Sequence, residues 1–260
     1  MKKKIKNRLI RWIIYIVLIV ILSFYAPFIY NYAVDYYRNF YACEGIKVEV
    51  NKYPICGIDV SSHQDEINWE KVSKSNIRFC FIKATEGTDF VDKRYKKNYI
   101  GAKNNNILVG AYHFFRFGSS GKEQAQNFIK NVAIEHLDFP PVVDVERHGN
   151  YFSFSKEPQI QLELKNYLQE IEKEYKVKPI IYTNIDGYKR YLKKDFEDYE
   201  IWICRICSEP EEKQWLFWQY SHKGKVKGIE GEVDLNTFNG NETDFLNYVE
   251  AYKNSKLWKY

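Results

Sequence analysis

Two carboxylates at the end of the run FPPVVDVE, residues 139–146, have the type and spacing that acid–base chemistry needs. Side chains alternate faces along a strand, so Asp144 and Glu146 are expected to point the same way, while Val143 and Val145 face a covering helix. Like charges held that close are unfavourable unless one group keeps a proton, and a protonated and an ionised carboxyl form a working acid–base pair. The competing interpretation is a solvated strand end.

The elements that must position this pair alternate along the chain between short apolar runs and amphipathic stretches. Eight runs predict strands: CGIDV (56–60), RFCFIKA (78–84), ILVGAYHFF (107–115), PPVVDVE (140–146), KPIIYTN (178–184), EIWICRI (200–206), WLFWQYS (215–221) and GEVDLNTF (231–238). Segments 123–133 and 159–175 between these runs are helix-like. In the second segment, apolar residues recur at helical spacing. Those residues are Ile160, Leu164, Leu168 and Ile171.

This alternation predicts an α/β fold, namely an irregular (β/α) barrel of about eight largely parallel strands with fewer than eight helices. The barrel is irregular because the connection between Ile206 and Trp215 is too short for a full helix. In such a barrel the active site lies at the carboxyl ends of the strands. Polar residues fall at those ends: Asp59, Glu86, His113, Asp144, Glu146, Asn184, Gln219 and Asp234.

The formal charge of +5 does not describe the folded part of the chain. Six positive charges lie within the first eleven residues, and subtracting them leaves −1 for residues 12–260. We therefore expect no nucleic-acid partner. The sequence contains no glycine-rich phosphate loop, nucleophile elbow or HExxH motif, and no metal or organic cofactor is expected.

An almost wholly apolar segment from Leu9 to Tyr30, with Arg11 its only charge, is long enough to cross a bilayer. Basic residues precede it and Asp35 follows it, which places the N-terminus in the cytoplasm and the later residues outside. The bulky residues at its end favour an uncleaved anchor over a signal peptide. The predicted organisation is a basic tip and transmembrane anchor (1–30), a stalk (31–54), a catalytic barrel (55–250) and a C-terminal tail (251–260).

The five cysteines are Cys43, Cys56, Cys80, Cys204 and Cys207. An odd number outside the cytoplasm leaves at least one thiol without an intramolecular partner. Cys80 is expected in the core, and a lipid anchor on Cys43 is the less favoured alternative to the apolar helix. Cys204 and Cys207 form a CxxC, but IWICRIC predicts a strand rather than a turn opening a helix, which argues against a dithiol redox role.

Seven motifs together resemble glycoside hydrolase family 25, the Chalaropsis-type lysozymes, which are N-acetylmuramidases. The motifs are GIDVSSHQ (57–64), IKATEGTDFVD (82–92), GAYHFFR (110–116), PPVVDVE (140–146), PIIYTN (179–184), WQYS (218–221) and VDLNTF (233–238). They occur in the family's order and spacing over roughly residues 55–250. The chain departs from the family at WICRIC, where small and aromatic residues more often follow the tryptophan.

The resemblance implies a barrel that cleaves the β-1,4 bond between N-acetylmuramic acid and N-acetylglucosamine in peptidoglycan. The family's active-site carboxylates map onto Asp59, Asp144, Glu146 and Asp234, and its third-motif tyrosine onto Tyr112. The remaining expected substrate-binding residues are Tyr182, Trp202, Trp218 and Gln219. Asp59 and Asp234 come from the first and last strands, which become neighbours when the barrel closes, and their alternative role is in salt bridges.

We expect Glu146 to be the general acid, with a pKa raised by Asp144 and by partial burial. Asp144 then acts as a nucleophile or orients the substrate's own 2-acetamido group, and the sequence does not decide between these. His113 should face away from Tyr112 and is expected to be structural, while Glu86 is expected to pair with Lys83.

The sequence thus predicts a membrane-anchored peptidoglycan hydrolase whose partners are glycan strands and the membrane. Two alternatives remain open. One is a wall-binding module of the same fold with little turnover, against which the four retained carboxylates argue. The other is a glycosidase acting on another N-acetylated glycan such as chitin.

Overall fold

A long N-terminal helix and a closed barrel make up the chain. The computed structural model describes residues 2–40, 46, 48–49, 51–151, 153–192, 195–211 and 215–257. It forms two compact units, Met1–Cys43 and Glu44–Tyr260. The barrel lies in the second unit.

Helix α1, Lys2–Phe40, forms the first unit. Its stretch Lys6–Val34 is long and apolar enough to cross a membrane. The helix continues ten residues beyond Tyr30 into the predicted stalk, because residues 31–40 contain neither glycine nor proline to end it. Later stalk residues at 41–45, 47 and 50, including Cys43, lie outside the described residues.

Nine strands form one sheet in the second unit. They are β1 (Cys56–Val60), β2 (Phe79–Glu86), β3 (Phe90–Val91), β4 (Leu108–Phe114), β5 (Val142–Asp144), β6 (Ile180–Asn184), β7 (Ile201–Cys204), β8 (Trp215–Gly224) and β9 (Val233–Phe238). The order is β1-β9-β8-β7-β6-β5-β4-β2-β3, and pairing of β1 with β2 closes eight strands into a barrel. All eight predicted runs are barrel strands. The short β3 forms a hairpin with β2 outside the ring.

The last strand runs against the others. β9 is antiparallel to both β1 and β8, whereas the other barrel neighbours are parallel. Its first residues therefore lie at the end of the barrel where the parallel strands finish. In this register Asp234 is directly opposite Asp59.

Helices follow some of the strands. They are α2 (Trp69–Ser73), α3 (Tyr95–Asn104), α4 (Gly121–Asn131), α5 (Glu157–Tyr175), the single turn α6 (Ile185–Gly187) and α7 (Glu242–Leu257). A π-helical turn, Tyr188–Leu192, continues α6. Between β7 and β8 the described residues 205–211 contain no helix. The prediction of an irregular barrel with fewer than eight helices is confirmed.

Two apolar layers pack against the strands. The inner layer fills the barrel with large side chains such as Phe79, Phe81 and Phe217. Inward-facing Gly110 makes room for it, since a Cβ there would lie 2.3 Å from the Phe81 ring. Phe245 of α7 contacts Phe79, so α7 covers the end of the barrel where β2 begins.

The outer layer lies between the strands and the helices. Val143 and Val145 are fully buried in it, as their alternation with the two carboxylates predicts. The four apolar residues predicted for the face of α5 are also at most 2% exposed. The outer layer therefore fixes which side chains of β5 are left to face the barrel interior.

Candidate active site

The predicted carboxylates gather at one end of the barrel. Asp144 is the last residue of β5, and Glu146 follows it by two residues. Asp59 is near the end of β1, and Asp234 is near the beginning of the antiparallel β9. Because β9 is reversed, the early position of Asp234 lies at the same end as the late positions of the others.

Asp59 lies in a buried amide cage. Its Oδ2 accepts hydrogen bonds from Gln219 Nε2 and Asn236 Nδ2, both at 2.8 Å. Burial, followed by the negative charge of Asp234, raises the pKa of Asp59 to about 8, although the two amide donors oppose the shift. The Asp59 carboxyl therefore holds a proton at neutral pH.

The loop after β1 is fixed by its own side chains. Ser61 and Gln64 form a capping box: the Ser61 hydroxyl accepts from the His63 N–H, and Gln64 Oε1 accepts from the Ser61 N–H at 2.9 Å. Asp92 Oδ2 accepts from the Ser62 N–H. These bonds explain why the motif GIDVSSHQ carries short polar residues immediately after Asp59.

Asp144 and Glu146 form an electrostatically linked pair. Asp144 is buried, and its Oδ1 has no hydrogen-bond partner among the described residues. Burial and then the charge of Glu146 raise the pKa of Asp144 well above its usual range, against an opposing effect of Lys83. Glu146 is more exposed than Asp144. The pair can thus hold a proton at neutral pH beside an open approach.

Backbone contacts hold the segment that carries Glu146 although β5 has already ended. The Val145 N–H donates to the Tyr182 carbonyl, and the Thr183 hydroxyl donates to the Val145 carbonyl at 2.7 Å. Asn150 Nδ2 donates to the Glu146 carbonyl at 3.0 Å. The extended path that brings Glu146 to the same side as Asp144 is therefore hydrogen-bonded on both flanks.

Tyr112, near the end of β4, lies within the electrostatic influence of several carboxyl groups. Burial raises the pKa of its phenol well above the usual range, and the charges of Asp59, Asp144 and Asp234 raise it further. Tyr112 remains partly exposed. Its hydroxyl therefore stays protonated beside three carboxyl groups and is available as a hydrogen-bond donor.

The other predicted binding residues of the inner layer are buried and hydrogen-bonded to one another. The Tyr182 hydroxyl donates to Gln219 Oε1 at 2.8 Å, and Gln219 in turn donates to Asp59. Trp202 is 2% exposed, stacks on Phe81 at a centroid distance of 4.5 Å, and donates its indole N–H to Asn236 Oδ1. These side chains support Asp59 and fill the floor beneath it.

Trp218 is a correction to the predicted substrate groove. It is 1% exposed and packs in the outer layer, where it contacts Tyr53 and Trp215. Its indole N–H donates to the Arg205 carbonyl at 2.7 Å. Trp218 precedes Gln219, so alternation along β8 turns it away from the barrel interior where Gln219 points.

Charged residues also lie beside the carboxyl pair, and His113 lies behind it. Lys83 Nζ lies 2.6 Å from Glu86 Oε2, which is the predicted ion pair, and Arg116 also contacts Glu86. His113 faces the helices, with Nδ1 2.8 Å from the Thr85 hydroxyl and its ring stacked on Tyr167. Burial lowers the pKa of His113 to about 3, so this imidazole is neutral and structural.

Three residues that surround the carboxyl groups were not predicted. Asn236 holds Asp59, His222 Nδ1 lies 2.7 Å from Asp234 Oδ1, and Cys204 Sγ lies 3.8 Å from His222 Nε2. Asn236 could have been found, because it lies two residues after Asp234 on the same strand face. The His222 contacts join residues on three strands, so no short sequence pattern predicts them. Within the described residues, no group of three or more His, Cys, Asp or Glu side chains is arranged to hold a metal ion.

Comparisons with known proteins place this architecture in context. The family model described as Glycosyl hydrolases family 25 matches residues 58–229. The uncharacterized protein YegX of Escherichia coli O157:H7 is 34% identical over 240 residues, which cover 87% of each chain. Lysozyme M1 of Streptomyces globisporus is 33% identical over 214 residues, covering 73% of this chain and 69% of that protein. The structure of a family 25 glycosyl hydrolase from Bacillus anthracis has a TM-score of 0.71 and 39% identity, covering 80% and 98%.

Proposed function

Because this chain belongs to glycosyl hydrolase family 25 and is a glycoside hydrolase of the muramidase class, we propose that it is a membrane-anchored enzyme. Its substrate would be the β-1,4 bond between N-acetylmuramic acid and N-acetylglucosamine in peptidoglycan. The observation that carries the proposal is that Asp59, Asp144 and Asp234 lie at one end of the barrel, with Asp59 directly opposite Asp234, Tyr112 near the end of β4, and Glu146 more exposed than Asp144. The motif resemblance is confirmed at the level of the family.

Glu146 is the general acid in this proposal. Glycoside hydrolysis requires one carboxyl to protonate the leaving oxygen. Glu146 is the more exposed member of the pair, and a second carboxyl beside it keeps a proton within the pair at neutral pH. A glycosidic oxygen arriving from the open side meets Glu146 before it meets the buried Asp144.

Asp144 orients the 2-acetamido group of the sugar, which then attacks the anomeric carbon. Its Oδ1 has no hydrogen-bond partner among the described residues, so its capacity to accept from a substrate amide is unused within the protein, although side chains that cover this buried atom must move to admit the sugar. Tyr112, the partly exposed donor, contacts the acetamido oxygen. Isolation of an Asp144–glycosyl adduct with a fluorinated substrate would instead establish Asp144 as the nucleophile.

Asp59 and Asp234 set the electrostatics of the site. The amide cage holds Asp59, and the neighbouring charge of Asp234 helps to keep it protonated. Tyr182, Trp202 and Gln219 act from below, because each is at most 7% exposed and hydrogen-bonded within the inner layer. A neutral Asp59 can donate a hydrogen bond to a sugar hydroxyl.

The membrane anchor is proposed from α1. Its apolar stretch Lys6–Val34 is preceded in the sequence by Lys2, Lys3 and Lys4. This charge pattern favours a cytoplasmic N-terminus and an exported barrel. After cell fractionation, we expect the protein in the carbonate-washed membrane fraction, with the mass of the full-length chain. A shortened protein in the medium would mean that the segment is a cleaved signal.

The decisive experiment compares the full chain in mild detergent with its Glu146→Gln variant on purified peptidoglycan. Products are reduced with borohydride and identified by mass spectrometry. We expect muramitol ends from the parent and none from Glu146→Gln, with unchanged circular dichroism. Glu123→Gln makes the same chemical change on the exposed face of α4 and should cleave like the parent.

The other results of that experiment point elsewhere. Glucosaminitol ends would reassign the bond that is cleaved. Full activity of Glu146→Gln would remove Glu146 as the acid. A folded parent that sediments with the wall but releases nothing would be a wall-binding module, and cleavage of chitin alone would indicate another N-acetylated glycan.

A further inference from the structure

Cys204, His222 and Asp234 form a chain of contacts across three strands. Cys204 Sγ lies 3.8 Å from His222 Nε2, and the opposite ring nitrogen, Nδ1, lies 2.7 Å from Asp234 Oδ1. The hydrolytic mechanism uses neither the thiol nor the imidazole. A thiol, an imidazole and a carboxylate in this order form the arrangement that activates a sulfur nucleophile.

Asp234 fixes the orientation of the ring. The His222 Nδ1–H donates to the carboxylate, which directs Nε2 at the sulfur. Burial lowers the pKa of His222, but the Cys204 charge and the Asp234 contact outweigh it and raise that pKa to about 11. The Asp234 contact therefore favours the imidazolium, in which both ring nitrogens are donors, and a thiolate on Cys204 would strengthen that preference.

The thiol has several electrostatic neighbours. Burial raises the pKa of Cys204, and the charge of Glu146 adds to this shift, whereas His222 and the Tyr182 hydroxyl oppose it. Burial prevails, so the Cys204 pKa stays raised and the thiol is mostly protonated at neutral pH; His222 and Tyr182 increase the small fraction of thiolate, which is the reactive form of cysteine. Removal of His222 should lower the thiolate population and slow reactions at sulfur.

The sulfur also lies where a modification would matter. Cys204 is the last residue of β7 and belongs to the inner layer with Tyr182 and Trp202. Tyr182 connects through Gln219 to Asp59. Cys204 itself is 7% exposed, whereas the His222 and Asp234 side chains are 23% and 30% exposed, so a small reagent would approach the sulfur past these two side chains.

We propose that Cys204 is a thiol-modification site through which a hydroperoxide switches off glycan hydrolysis. The inference rests on the proposed function, because the activity that is lost is the muramidase activity. An added oxygen or alkyl group on Sγ would occupy the space between Tyr182 and His222 and disturb the support of Asp59 and Asp234. The CxxC spacing plays no part, since His222 rather than Cys207 activates the sulfur.

The chemical step is a two-electron oxidation. The thiol loses its proton to solvent, and the thiolate attacks one oxygen of the hydroperoxide. A sulfur–oxygen bond forms as the oxygen–oxygen bond breaks, and the leaving alkoxide or hydroxide takes up a proton. The sulfur is oxidised to a sulfenic acid while the hydroperoxide is reduced to an alcohol or water.

The test uses the full chain in detergent, with iodoacetamide and hydrogen peroxide as probes. Peptide mass spectrometry maps alkylation, dimedone captures sulfenic acid, and peptidoglycan cleavage is measured on the same samples. We expect an adduct at Cys204 and activity lost in proportion to it. Cys204→Ala should cleave the wall and resist both reagents, whereas Cys207→Ser, which alters an exposed thiol three residues away, should stay sensitive.

A second variant tests the role of the imidazole. His222→Gln should slow alkylation of Cys204 about tenfold near neutral pH, which corresponds to about one pKa unit in the thiolate population. Alkylation of Cys207 in the same sample should keep its rate, which controls for the reagent, and an unchanged circular dichroism spectrum should show that the fold is intact. An equal Cys204 rate with and without His222 would overturn the activation.

Two further results would overturn the proposal. One is a folded chain in which Cys207 is fully alkylated and Cys204 is untouched, and the other is complete Cys204 modification with no loss of cleavage. An untreated parent that does not cleave peptidoglycan would overturn the proposed function instead, and the mapped Cys204 adduct would still decide whether the sulfur is reactive.

Discussion

Replacement of Asp59 by asparagine should make the barrel less sensitive to rising pH. Asp59 Oδ2 accepts two amide hydrogen bonds at 2.8 Å, from Gln219 and Asn236. A protonated aspartic acid and an asparagine have nearly the same shape, and in each a carbonyl oxygen can accept both bonds. Asp59→Asn therefore imitates the protonated form and cannot become the buried anion.

The magnitude follows from proton linkage. The pKa of Asp59 is raised from 3.8 to about 8, so between these values the folded protein holds a proton that the unfolded chain has lost. The free energy of unfolding contributed by this carboxyl therefore falls as pH rises, by about 1.4 kcal/mol per pH unit for one proton. Asp59→Asn lacks this loss, so its advantage over the parent should grow by the same amount per unit.

The assay is guanidinium unfolding of the compact unit Glu44–Tyr260, followed by tryptophan fluorescence from about pH 5 to about pH 8. The difference between variant and parent removes contributions from other groups that titrate in both proteins. Asp89→Asn, an exposed aspartate, is the matched control and should run parallel to the parent. If Asp59→Asn also runs parallel to the parent, the buried Asp59 carboxyl does not hold a proton at neutral pH.

Three further predictions concern the support of the site. The pKa of His113 is about 3 in the folded protein, so as pH drops below about 6.5 the unfolded chain binds a proton that the folded protein does not, and the free energy of unfolding should fall. His113→Gln should reduce this acid sensitivity in denaturation curves. Tyr182→Phe should lower the free energy of unfolding by about 1–2 kcal/mol in the same assay, because the buried Gln219 Oε1 loses its hydrogen-bond donor. An unchanged denaturation midpoint would contradict this. Gly121→Ala should lower the free energy of unfolding by about 3 kcal/mol, because the new Cβ would lie 1.8 Å from the Glu163 carbonyl oxygen. A melting temperature equal to the parent's would show that α4 shifts to relieve the contact.

Much of the fold was predictable because local hydrophobic patterns in the sequence indicate its strands and helices. The eight apolar runs became the eight barrel strands, and the spacing of Leu164 and its neighbours marked the buried face of α5. The alternation of Asp144 and Val143 predicted which side chains face the helices. These signals survive because each depends on residues only two to four positions apart.

The environment of each tryptophan was less predictable. Trp202 and Trp218 lie on neighbouring strands and have similar sequence surroundings, yet one fills the barrel and the other packs in the outer layer. Trp218 alternates regularly with Gln219, whereas a register irregularity between Ile201 and Trp202 places Trp215, three residues before Trp218, in the same outer layer. Strand phase relative to the barrel axis depends on such irregularities, and composition does not reveal them.

The sequence by itself determined the barrel class and the family, because hydrophobic periodicity and seven motifs in register require no knowledge of long-range contacts. It also identified the four carboxylates as residue types in the right order. Only the tertiary structure decided that β9 is reversed, so that Asp234 meets Asp59, and that His222 lies between Asp234 and Cys204. Those contacts join residues on different strands. Closure of the barrel brings these residues together and buries them, and this burial beside other charges shifts their pKa values.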